Sequence, residues 1–213
     1  MRKILYSIPA MLCMAACQSE ELVSADCLAL GTLDLSGVHA DMPYVTRAVA
    51  EGLAIRLVDS NGNVVKQYAS GAVPQYVELQ PGTYTLIAYS DNETTWMNAN
   101  GKRGEATYWG ETDVTVIEHQ MVACSYSVPV SNYAVSLSLP DFFSSLFSSY
   151  SFKVTSGSRT VELIEGEKAY FSPDASFTYT FNATNNDGET NSQDGAGPSS
   201  VEKGKVYNVS FGF

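Results

Sequence analysis

The sequence predicts an all-β protein made of two tandem β-sandwich domains of immunoglobulin-like strand number, with one short helix in the second. Three observations carry this. Apolar residues recur at every second position through most of the chain, which is the strand period. Gly, Pro and Asn pairs interrupt the alternation at intervals that suit hairpins. A single stretch in the second half changes to a helical period. The expected divisions are a leader at residues 1–16, a tether at 17–26, a first domain at 27–130 and a second at 131–213.

The first domain opens with Leu28 and Leu30 on one face and Leu33 and Leu35 on the other parity. Gly31-Thr32 sits at the parity change, so a bulge is expected there. Residues 36–52, with Gly37, Pro43 and Gly52, read as an accessible loop. Leu53, Ile55 and Leu57 then alternate, and Asn61-Gly62 turns the chain into Val64–Tyr68. Val77 and Leu79 precede the turn Pro81-Gly82, and Tyr84, Leu86 and Ala88 follow at spacing two. Strands over Asp113–Ile117 and Met121–Val130 flank a turn at Glu118-His119.

The second domain starts near Ser131, with Tyr133, Val135, Leu137 and Leu139 alternating. Phe142, Phe143, Leu146, Phe147 and Tyr150 then share one helical face, and Asp141 stands where an N-cap belongs. Strands are expected at Ser151–Thr155, Thr160–Ile164 and Lys168–Phe171, with a turn at Glu165-Gly166. Phe177, Tyr179, Phe181 and Ala183 alternate again, as do Tyr207, Val209, Phe211 and Phe213. Between these, Asn185–Pro198 has almost no apolar anchor and reads as a mobile loop.

The start of the chain says where the protein resides. Arg2 and Lys3 precede an apolar run, Ile4–Ala16, that is too short to span a bilayer and reads as a cleavable leader. Ala15-Ala16 before Cys17 resembles a bacterial lipobox, with Met14 where Leu is commoner. This implies lipidation of Cys17, an acyl anchor and a membrane partner without a spanning helix. Gln18-Ser19-Glu20-Glu21 resembles the acidic signal that carries some Bacteroidetes lipoproteins to the cell exterior, so the expected location is the outer membrane, facing outward.

Composition excludes some partners. Twelve Lys and Arg against 23 Asp and Glu give a formal net charge of −11, spread along the chain. A polyanion would be repelled, so nucleic acid is not an expected partner. No nucleophile elbow, phosphate loop or dinucleotide fingerprint is present. His39 and His119 lack companions at ligand spacing, and no metal or cofactor is expected. Asp187-Gly188 has the look of a calcium-loop turn, but Ala183 would take the first ligand position and cannot coordinate. With Cys13 in the leader and Cys17 lipidated, Cys27 and Cys124 remain. They could form a disulfide in an exported protein, or stay as two buried thiols. The stretch TTWMNANGKRGEATYWGET, residues 94–112, gathers Trp96, Tyr108 and Trp109 around a polar loop, a pattern suited to sugar or protein contact.

The order VTRA (Val45–Ala48), LAIRLVDSNGNVVKQY, VELQPGTYTLIAYS, YWGETDVTV and VSLSLPDFFSSLFSSYSFKV resembles an uncharacterised Bacteroidetes lipoprotein domain family found near fimbrillin-type proteins. That resemblance implies transthyretin-like sandwich domains. It also implies proteolytic processing after Arg47, with release of the first strand and its replacement by a neighbour's strand. The function expected from the sequence is therefore non-enzymatic: adhesion or fimbria-like assembly at the cell surface. The alternative is a carbohydrate-binding accessory lipoprotein of a glycan-uptake system, with Trp96, Tyr108 and Trp109 as contacts for polysaccharide.

Overall fold

The computed structural model describes residues 29–41, 52–90 and 102–211. The leader, Cys17, Cys27, Arg47 and Trp96 lie outside the described residues. The chain folds as two β-sandwich domains. Strands β1 (Gly31–Ala40), β2 (Leu53–Asp59), β3 (Val64–Tyr68), β4 (Tyr76–Leu79), β5 (Gly82–Ser90), β6 (Trp109–Val116) and β7 (Met121–Val128) build the first. They form one sheet in the order β4-β1-β7 and another in the order β3-β2-β5-β6.

The second contains β8 (Tyr133–Ser138), a one-turn helix α1 (Phe143–Leu146), β9 (Phe147–Ser156), β10 (Arg159–Leu163), β11 (Lys168–Phe171), β12 (Phe177–Asn185), β13 (Thr190–Ala196) and β14 (Val206–Ser210). Its sheets run β11-β8-β14 and β10-β9-β12-β13. These are the sheet orders of the first domain with every label advanced by seven. The parallel pair β1/β7 recurs as β8/β14, and every other pairing is antiparallel in both. The chain is thus a topological repeat.

The two cores differ in chemistry. Leu33, Leu35, Ile55, Leu57, Leu86 and Val128 fill the first, which is mainly aliphatic. Tyr133, Phe152, Phe171, Phe177 and Phe181 dominate the second. Most of its ring pairs meet edge-on or tilted, as Tyr133 against Tyr207 with centroids 5.8 Å apart, while Phe143–Phe147 and Tyr150–Phe181 stack.

Several elements depart from the sequence expectation. The irregularity in the first strand lies between Asp34 and Gly37, not at Gly31-Thr32. There one extra residue of β1 faces β7, and the Ser36 amide donates to Asp34 Oδ1 at 2.9 Å. The bulge carries the inward face from Leu35 to Val38, so the strand continues to Ala40 where a loop was expected. The helix is a single turn whose cap position is Phe142, with no side-chain cap bond, and Asp141 does not cap it. The serine-rich stretch after it has weak helix propensity, and pairing with β12 draws Phe147–Ser156 into a strand instead.

The largest correction is at Asn185–Pro198. The segment is a hairpin: Asn185 Oδ1 accepts from the amides of Asp187 and Glu189, Gly188 takes φ +89°, and β13 pairs with β12 along Thr190–Ala196. The strand is a polar run on a solvent-facing edge, so it gives no hydrophobic signal.

Candidate functional site at the domain junction

The two domains meet along a short extended strap, residues 102–107, that precedes β6. Its carbonyls and amides are read by second-domain groups. Arg103 O accepts from the Tyr170 amide at 2.8 Å, and the Arg103 guanidinium pairs with Glu167. Arg159 reaches across from β10, donating to the carbonyls of Lys102 and Tyr170, with its guanidinium 4.8 Å over the Phe171 ring. It is only 5% exposed, and burial lowers its pKa from the ordinary value.

Asn132, almost fully buried, ties the next part of the strap. Its amide nitrogen donates to Glu105 O at 2.8 Å, its side-chain oxygen accepts from the Thr107 amide at 3.2 Å, and its carbonyl accepts from the Gly204 amide at 2.7 Å. Thr107 Oγ1 and Ser131 Oγ lie 2.8 Å apart, both residues buried. A single bridge, Tyr108 to Val130, then leads into β6.

Alternation along this segment sends its two aromatic rings apart. Tyr108 packs against the first core, where burial, with smaller effects from Tyr170 and Asp41, raises its pKa. Trp109 turns outward and is 40% exposed. It forms one wall of a cavity of about 380 Å³ whose other walls include Pro173, Asp174 and Lys203 of the second domain and whose remaining lining includes Thr107, Ser131 and Asn132. Of the three aromatics singled out in the sequence, Trp109 therefore reaches a site, Tyr108 serves the core, and Trp96 lies outside the described residues. The partners of Trp109 on the second domain had no sequence signal. Asp174 and Lys203 sit in ordinary polar turns and reach the cavity only through the domain arrangement.

The remaining candidates stay apart. Cys124 is a buried free thiol whose pKa burial raises, an environment that suppresses thiolate chemistry, and Cys27 lies outside the described residues. His39 is an exposed residue contacting Gly37 O at 3.1 Å, and His119 occupies the β6–β7 turn with φ +57°. Among the described residues, no group of three or more His, Cys, Asp or Glu could hold a metal, and no helix is long and apolar enough to cross a membrane.

Residues 31–213 match the model of a domain of unknown function, DUF4493. The chain belongs to the DUF4493 family. No curated protein matches this DUF4493 chain. A solved structure of a "putative cell adhesion protein" from Bacteroides uniformis is similar over 86% of this chain and 94% of its own, with 12% identity and a TM-score of 0.57. A "putative adhesin" from Bacteroides ovatus covers 94% of this chain and 98% of its own, at 11% identity and a TM-score of 0.41. At such identities the likeness is one of fold.

Proposed function

We propose that this DUF4493 protein is a non-enzymatic, lipid-anchored protein of the outer surface that adheres or assembles through exchange of its first strand. The lipid would be carried by Cys17. The observation that supports assembly is the place of β1. It lies in the middle of its sheet, paired with β4 on one side and β7 on the other. Its inward residues Leu33, Leu35 and Val38 are buried to 2% exposure or less. Residues 42–51, which contain Arg47, join it to β2. A cut after Arg47 would leave β1 held only by noncovalent contacts, while every later strand stays in one chain.

Loss of β1 would unpair both neighbours and uncover the core. Each buried leucine contributes roughly 1.5–3 kcal/mol, so the opened slot would favour any strand of matching alternation. The described part of the terminal strand, β14, alternates in this way at a sheet edge, its inner residues Tyr207 and Val209 packed against the second core. The shared fold with a Bacteroides protein named for cell adhesion supports the same reading.

The test is cleavage of the purified chain after Arg47 with an arginine-specific protease, removal of the released peptide, and measurement of mass in solution. Ordered oligomers that disappear in Arg47→Ala are expected. A cut chain that stays monomeric and folded would refute strand exchange.

A further inference from the structure

We infer that the cavity at the domain junction is a saccharide subsite, taking one or two pyranose rings of a neutral glycan. This goes beyond strand exchange, since it needs neither cleavage nor assembly.

The volume of about 380 Å³ lies at the small end of the range for ligand pockets, about 300–1,000 Å³, and the site sits between domains, where such pockets concentrate. Three features select the ligand. The first is the indole of Trp109 on the wall. It is a flat, half-exposed ring, and burying its free face needs a ligand with a flat apolar surface. The second is the density of donors and acceptors. Asp174 accepts from Ser172 Oγ through Oδ2 at 2.6 Å, which leaves lone pairs for ligand hydroxyls. Lys203, also in the lining, supplies N–H donors. Thr107 and Ser131 share one hydrogen bond between two hydroxyls, so one O–H proton remains to donate. The third is charge balance: the lining carries one carboxylate and one ammonium, which favours a neutral ligand over a phosphate or a polycation.

A pyranose satisfies all three. It carries an apolar C–H face for the indole and hydroxyls around its rim that both donate and accept. A lipid would leave the carboxylate and ammonium desolvated and unpaired, at a cost of several kcal/mol. The floor is also rigid. Thr107 and Asn132 are each 1% exposed, the Thr107 amide donates to the Asn132 side-chain oxygen and Asn132 donates to Glu105 O, so among the described residues the floor is already ordered for a ring to seat. Asn132 spends its side chain on the strap and acts as a positioning residue, not a ligand contact.

The experiment is ligand-observed saturation-transfer NMR on the full, uncut chain held in a detergent without a sugar headgroup. The probes are methyl glycosides and disaccharides of the common neutral hexoses. Saturable binding by at least one probe is expected, with Kd of about 1 mM or tighter. Trp109→Ala, at an exposed ring, should fold normally and weaken that binding about tenfold, the loss of one stacking contact. Asp174→Asn should weaken it too. No saturable binding by any glycoside, binding unchanged in Trp109→Ala, or binding of a zwitterionic dipeptide in place of every glycoside would overturn the assignment. Because the chain is uncut, each of these results leaves strand exchange to be judged on its own test.

Discussion

Replacement of Arg159 by Met is the sharpest probe of how the two domains are held. The side chain is buried, donates to the carbonyls of Lys102 and Tyr170, and lies over the Phe171 ring. Methionine keeps much of the apolar stem, so the cavity term is small. What is lost is polar. Lys102 is exposed and water can take over its carbonyl, whereas Tyr170 O is left without this donor at about 1–3 kcal/mol. The stacked cation over Phe171 contributes about 1–2 kcal/mol more when desolvated. Part of this is offset, because methionine has no charge to bury. The net expectation is a loss of about 2–4 kcal/mol, near the top of what single substitutions do. With urea slopes of about 1–3 kcal/mol/M, the midpoint should fall by roughly 1–2 M. Arg159→Lys should fall between the two, since an ammonium cannot fork to both carbonyls. The assay is urea unfolding followed by far-ultraviolet circular dichroism. An unfolding free energy within about 0.5 kcal/mol of the parent would refute the view that this residue clamps the junction.

Two further outcomes follow from the first domain. Gly31→Ala should destabilise by about 1–3 kcal/mol in the same assay, because a Cβ there would stand 2.3 Å from the backbone oxygen of Ile117, which cannot swing away as a side chain would. Asp59→Asn should lower the melting temperature at neutral pH but not well below pH 3.8. The side chain and backbone amide of Asn63 hold the Asp59 carboxyl below its ordinary 3.8, so its contribution is present above that value and fades as pH falls through the lowered folded pKa. Melts that differ equally at both pH values would show that the carboxylate charge is not what matters.

The strands with an inward apolar face were legible. β2, β5, β8 and β11 fall where Leu53–Leu57, Tyr84–Ala88, Tyr133–Leu137 and Lys168–Phe171 placed them, because one buried face imposes a period of two. β13 was not legible, since an edge strand of polar residues satisfies its backbone without burying anything. The short helix ends sooner than the period suggests, at Leu146, because Phe143, Phe147 and Tyr150 share a surface without sharing a helix. They meet around Phe181 and Phe211, but Phe147 and Tyr150 do so from a strand. Half of the junction site was legible, as Trp109 in an aromatic loop. The other half depends on which turns of the second domain face that ring, and this is tertiary information.

The repeated topology explains why a site forms at the junction rather than within either sandwich. Both domains solve the same packing problem with the same sheet orders, one around an aliphatic core and the other around an aromatic one. The connection between the fifth and sixth strands is where they diverge. In the second domain it is the tight turn from Asn185 to Thr190, closed by one asparagine side chain. In the first it runs from Ser90 to Trp109, and its last part is the strap gripped by Arg159 and Asn132. A hairpin of minimal length would leave Trp109 on a plain sheet edge. The longer connection instead carries first-domain backbone onto the second domain, which fixes the two bodies and brings Trp109 into one cavity with Asp174 and Lys203. Any change that frees residues 102–107 from the second domain should therefore open the cavity and the junction together.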